Sequence, residues 1–356
     1  MKKFNNAAKI LIILSAILII GCCSIYKYKI DSVSNNSDKV EIIVESGSSY
    51  LTITSLLKEN NLIKSEFFYK LYIKLFKING LQAGKYSLSE DMGVAKIVET
   101  LKNGSTYNPD TITITFKEGI NIREIANLIE DNTNNTKDEV FELLEDENYI
   151  DELISKYWFL TDEIKNKDIY YSLEGYLFPN TYEFSKTTKI ETIIETMLDQ
   201  MKVELDTYKI TIEESNYTVH EILTLASVIE LEAGNSNDRS GVAGVFYNRL
   251  ENNWALGSDV TTYYGSKIDD FSYSLTYTEL NDCSNKYNTR CSTNKGLPVG
   301  PIDNPGKESI DATINPTSNN YYYFVADCSG KTYFNTNSSG HTNTIQELIS
   351  ADNWCA

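Results

Sequence analysis

One carboxylate, Glu230, stands at the end of an almost uncharged run, Glu221-Ile-Leu-Thr-Leu-Ala-Ser-Val-Ile-Glu230. Leu223, Ala226 and Ser227 precede it by seven, four and three residues, so at helical spacing they line its face. An acid on a face of small and apolar side chains is desolvated, which penalises the ionised form and raises a carboxyl pKa. A carboxyl group that keeps its proton near neutral pH can give it up in catalysis. The plainer alternative is a helix-end glutamate that turns to solvent. Glu232, two residues further on, cannot share the same face and is expected to support it or to face water.

Other segments of unusual composition surround this run. Upstream lies the aromatic stretch 173–184, in which Pro179 argues against helix. Downstream, Gly241 to Leu250 reads as a second helix. After it come Ser258-Asp259-Val260-Thr261, then Tyr287-Asn288-Thr289, then the Gly/Pro-rich loop Gly296-Leu-Pro-Val-Gly-Pro-Ile302 with Asn304-Pro305-Gly306 behind it. The run Tyr321–Asp327 has a buried-strand pattern and leads to Phe334 and His341. A Ser-His-acid triad is disfavoured, because no G-x-S-x-G elbow is present. His341 is expected to be a hydrogen-bonding wall of a cleft. With two His and no C-x-x-C pair, neither a zinc site nor any other metal or cofactor is expected.

In this order, these segments resemble the endolytic murein transglycosylase family, the YceG-like group. The resemblance covers nearly the whole chain. It implies that Glu230 is the catalytic acid and that Ser258, Asp259, Thr261, Tyr287, Asn288, Thr289 and His341 line the substrate. Gly257 stands where the family usually has Gln, Val260 replaces a frequent Pro, and Val299 replaces the second Pro of the Gly-Leu-Pro-Pro element. These departures bear on loop shape and not on the acid. The implied enzyme is a lyase that cuts the β-1,4 bond between N-acetylmuramic acid and N-acetylglucosamine without water. Glu230 would protonate the leaving oxygen and then take the proton of the muramyl C6 hydroxyl, which attacks C1 and leaves a 1,6-anhydro end. With the nucleophile inside the substrate, the second carboxylate of most glycosidases is unnecessary, and intramolecular attack gains from proximity. The rivals are a hydrolase with Asp259 as second carboxylate, and a glycan-binding scaffold without turnover.

The elements that must position these residues call for more than one core, since 356 residues exceed an ordinary single one. The expected fold is α+β. Residues 1–38 form a cytoplasmic tip, an anchor and a linker. Residues 39–106 read as a small LysM-like β-α-α-β-α module, 107–206 as a connecting region, and 207–356 as the catalytic domain. The module's pattern of strand, Gly turn and amphipathic helix recurs at an offset of 72, with Gly47 matching Gly119 and Leu56 matching Leu128. Helices are expected at 137–145 and 190–205, with no strand in 110–206 other than 112–116.

At the N-terminus, Lys2, Lys3 and Lys9 precede an apolar run from Ile10 to about Tyr26. Those residues span about 25 Å as a helix, close to a hydrocarbon core of about 30 Å. The basic flank places the rest of the chain outside the cell membrane. A cleaved signal, or lipidation at Cys22, would have the same consequence for the bulk of the chain. Outside the membrane Cys283, Cys291, Cys328 and Cys355 could pair, in an order the sequence leaves open. A net charge of −18 argues against nucleic acid as partner and is compatible with a neutral glycan, to which 25 Tyr offer apolar faces. The implied partners are peptidoglycan glycan strands and the membrane. The resemblance adds penicillin-binding synthases and the division or elongation machinery.

Overall fold

The N-terminal segment is mostly apolar from Ile10 to about Tyr26, and it forms one helix, Asn6–Ile30. A computed structural model describes residues 6–45, 47–104 and 111–355. The stretch Ile13–Ile30 is apolar and long enough to cross a membrane. Lys2 and Lys3 of the basic flank, and the module boundary expected at 106, lie outside the described residues.

The chain divides into two units, Met1–Thr111 and Ile112–Ala356. In the first, Lys39–Val44 pairs antiparallel with Gly84–Ser89, in the register Ile42↔Tyr86. Alternation puts Ile42, Val44, Tyr86 and Leu88 on one buried face. The helices Tyr50–Glu59, Glu66–Leu75 and Val94–Asn103 cover that face with Ile53, Leu57, Tyr69, Ile97 and Leu101. The order of elements is the β-α-α-β-α read from the periodicity.

In the second unit the strand Thr111–Thr115 pairs with Thr181–Ser185. The latter strand was not expected. It follows Pro179 and turns Tyr182 and Phe184 inward, and its five residues are too few to register against the long helical stretches around it. The helix Ile122–Asn132 starts at a capping box, with Asn121 Oδ1 accepting from the Glu124 N–H. Lys137–Glu145 and Ile190–Asp206 form where the apolar period placed them. The core they build runs past the boundary expected at 206 and takes in Ile222, Leu223, Ala226 and Ile310. The connecting and catalytic regions therefore share one interior.

The helix Val219–Glu232 is the seam of this unit. It begins at a capping box between Thr218 and Glu221. Leu223 and Ala226 face the first core, while Leu225, Val228 and Ile229 face a second one with Val242, Phe246, Leu256, Tyr264 and Tyr287. A helix apolar on every side is stable only when buried, and each fully buried Leu, Ile or Val contributes about 1.5–3 kcal/mol. Around it pack the helices Arg239–Glu251 and Lys307–Ile314. The hairpin of Tyr323–Ala326 and Thr332–Asn335 leads to the helix Ser338–Ser350. Only Val325 of its first strand is buried, so the run 321–327 is a half-buried hairpin arm and not a core strand. Disulfides join Cys283 to Cys291 and Cys328 to Cys355.

Candidate active site

Glu230 lies in the last turn of the helix Val219–Glu232, with its side chain 6% exposed. Withdrawal from water is as the sequence implies, but the surroundings are not apolar. Arg239 Nη2 donates to Oε1 at 2.8 Å, and the Gly306 N–H donates to Oε2 at 2.9 Å. Gly306 caps the helix Lys307–Ile314, so the carboxylate sits where that helix's dipole favours negative charge. Arg239, itself 11% exposed, uses Nη1 on Glu308 at 2.7 Å. Leu223, Ala226 and Ser227 are fully buried as expected. They shape the helix face without enclosing the acid in hydrocarbon.

The loop carrying Gly306 is stapled to that face at two points one turn apart. The Ile302 N–H donates to Ser227 Oγ at 3.0 Å, and Gly306 meets Glu230. Asn304 locks the loop from behind. Its Oδ1 accepts the N–H groups of Gly175 and Leu177, and its Nδ2 donates to the Ile120 carbonyl and to Glu174 Oε1. Glu174 is fully buried, accepting also from the Ile122 N–H and the Tyr264 hydroxyl. Burial pushes its carboxyl up to about 7. Gly119, at φ +78, brings the preceding turn onto Glu230, so that a Cβ there would lie 3.5 Å from Glu230 Cγ.

Two further carboxyls belong to this neighbourhood. Glu118 is exposed at the turn, and burial of part of its side chain, then the charge of Glu230, push it up. Asp303 is buried, neither of its oxygens has a partner, and burial followed by Glu230 raises it well above the usual carboxylate range. Sequence reasoning missed Arg239, Glu118, Asp303 and Glu174, and saw Asn304 and Gly306 only as loop. The one signal available was Asn-Pro-Gly directly before a helix.

The other expected site residues form a second network. Ser258 Oγ donates to Glu232 Oε1 at 2.6 Å, so Glu232 supports the structure and does not face water; burial pushes its carboxyl up. Thr261 and Thr289 share a hydroxyl contact at 2.8 Å, and the Ser258 N–H donates to Thr289 Oγ1. Asn288 Oδ1 accepts from the Thr262 hydroxyl and its Nδ2 donates to the carbonyls of Glu279 and Asp282. The Tyr287 hydroxyl accepts the Tyr170 N–H. Ser258, Thr261 and Thr289 are thus buried and bonded to one another, while Tyr287 and Asn288 are buried and bonded to neighbouring residues. Asp259 is exposed and pairs with Arg290 at 3.1 Å. His341 stacks on Tyr323 at 5.4 Å, its Nδ1 is buried without a partner, and burial, then the Arg249 charge, lower its pKa. Among the described residues no hydrogen bond or ion pair joins any of these seven to Glu230, and none of the groups of acids, His or Cys could hold a metal. His220 is structural, its ring nitrogens meeting the Tyr176 hydroxyl and the Val299 carbonyl.

Glu230 is thus a buried, ion-paired glutamate on the seam helix of a mixed α/β unit, in a chain with an apolar N-terminal helix. The chain belongs to the YceG-like family, whose profile matches residues 42–347. It is 37% identical to the endolytic murein transglycosylase of Bacillus subtilis (strain 168), over 94% of this chain and 92% of the relative. The protein of the same name in Streptococcus pneumoniae serotype 2 is 32% identical over 92% of this chain and 62% of its own length. A crystal structure of a yceG-like protein from Listeria monocytogenes superposes with a TM-score of 0.61 at 32% identity, covering 87% of this chain and all of that one.

Proposed function

We propose that this chain is an endolytic lytic transglycosylase of peptidoglycan, with Glu230 as its catalytic group. The reading rests on one observation, a water-shielded carboxylate held by Arg239 and the Gly306 N–H at the end of the seam helix. The names of the relatives supply the substrate class. Glu230 protonates the oxygen leaving C1 of N-acetylmuramic acid, then removes the proton of the C6 hydroxyl as it closes the 1,6-anhydro ring. The proton balance is zero and no water is consumed. The Gly306 N–H and the Arg239 guanidinium are already in place for the carboxylate that remains when Glu230 gives up its proton, so little reorganisation is needed there. Asp259 keeps an exposed carboxylate suited to touching sugar, His341 stacked on Tyr323 forms part of the wall, and Ser258, Thr261, Tyr287, Asn288 and Thr289 hold that wall from behind. The β-α-α-β-α unit is read as a LysM-like module. The helix Asn6–Ile30 is read as a retained anchor that leaves the remaining chain outside the membrane, near the synthases that extrude glycan strands. A water-using muramidase with Asp259 as second carboxylate is not favoured, because Asp259 is engaged with Arg290 and the relatives are named as transglycosylases.

The test is a paired digestion of uncrosslinked glycan strands by the full chain in detergent, wild type against Glu230→Gln. Wild type should release internal fragments with anhydro ends, one water lighter than reducing ends by mass spectrometry, and Glu230→Gln should release none. Reducing ends, or equal cutting by both proteins, would remove the proposal.

A further inference from the structure

An acid clamped by a guanidinium and an N–H is well placed to be a base, which leaves open where the proton for the leaving oxygen resides. Gly306 answers this with its two sides. Its N–H holds Glu230 Oε2 at 2.9 Å, and a Cβ built on it would sit 2.0 Å from Glu118 Oε1. The two carboxyl groups are therefore within about 7 Å of one another, against the same glycine. Glu118 makes no hydrogen bond or salt bridge among the described residues, and it is exposed.

We propose that Glu118 is a positioning residue for the reaction, forming with Glu230 a carboxyl pair that holds one proton, at rest on Glu118 and passed by Glu230 to the glycosidic oxygen. This rests on the reading of Glu230 given above. The charges around the pair come from every element packed against it: Arg239 from the helix Arg239–Glu251, Glu308 from Lys307–Ile314 and Asp303 from the intervening loop. Like charges at close range cannot both ionise freely. Arg239 and Gly306 serve Glu230, so Glu118 is the member that keeps the proton; burial and the Glu230 charge raise it. Burial, then the Glu230 charge, raise Asp303 as well. In the reaction the proton moves from Glu118 through a bridging water to Glu230, and on to the leaving oxygen as the C1–O bond breaks. The C6 hydroxyl proton returns to the pair as the C1–O6 bond forms.

The experiment is the pH dependence of anhydro-end release by wild type, Glu118→Gln, Glu118→Asp, Asp303→Asn and Glu230→Gln, each checked by thermal melting. Glu118→Gln should lose about tenfold in turnover at pH 8 and much less at pH 5.5, its alkaline limb moved down by about one unit at unchanged KM. Glu118→Asp should restore part of the limb, and Asp303→Asn should leave its position unchanged. A Glu118→Gln profile with the wild-type shape, whatever its height, overturns the pairing while an inactive Glu230→Gln keeps the reading of Glu230. An active Glu230→Gln overturns both.

Discussion

Replacing Arg239 with methionine removes the cation facing Glu230 and keeps most of the apolar length of the side chain. Both partners are buried, at 11% and 6% exposure. Removing one member of a buried ion pair costs about 3–5 kcal/mol, mostly because the other is left charged and unpaired. Here Glu230 keeps the Gly306 N–H and Arg239 has a second, exposed partner in Glu308, so the lower end, about 3 kcal/mol, is expected. For a unit of the size of Ile112–Ala356 each kcal/mol moves Tm by about 2–4 °C, giving a fall of about 6–12 °C. The assay is a double-mutant cycle by thermal and urea unfolding of Arg239→Met, Glu230→Gln and the double variant. The double variant should cost less than the two singles together by about 1–3 kcal/mol. If Arg239→Met costs under about 1 kcal/mol, or the cycle closes to within about 0.5 kcal/mol, the pair is not the buried contact argued above.

Gly306→Ala is sterically permitted by its own backbone, at φ −77 and ψ 171, but its methyl group would displace the Glu118 carboxyl. Turnover should drop with the pH profile expected for Glu118→Gln while Tm moves by no more than about 2–4 °C; wild-type turnover would show that the seat is dispensable. Glu174, raised from an ordinary 4.5 to about 7, binds its proton more tightly in the folded than in the unfolded chain. The folded state is thus favoured at low pH and loses roughly 3 kcal/mol from this group as pH rises from about 4.5 through about 7. Glu174→Gln should flatten the fall of Tm over that window, and parallel curves for the two proteins would refute the assignment.

Glu230 was legible because its signal is local. One charge at the end of a nearly uncharged run reports a buried helix whatever packs against it. The same holds for the β-α-α-β-α order of the first unit. The strand Thr181–Ser185 was not legible, since its pairing partner lies far away in the chain and its own length is short. Ser258, Thr261, Tyr287, Asn288 and Thr289 were found as unusual residues, but composition could not tell a side chain that meets a ligand from one that meets its neighbours.

By itself the sequence determined which helix is buried, which acid ends it, and that one apolar helix precedes the rest, because periodicity and charge act over a few residues. The tertiary structure alone decided what that acid touches. Residues 118, 230 and 306 come together only after long stretches of chain have closed, Arg239 is folded back by the short turn after the helix, and no spacing rule links the four. Whether a carboxyl meets hydrocarbon, a guanidinium or another carboxyl is a matter of which chain segments pack around it, and that is where its chemistry is set.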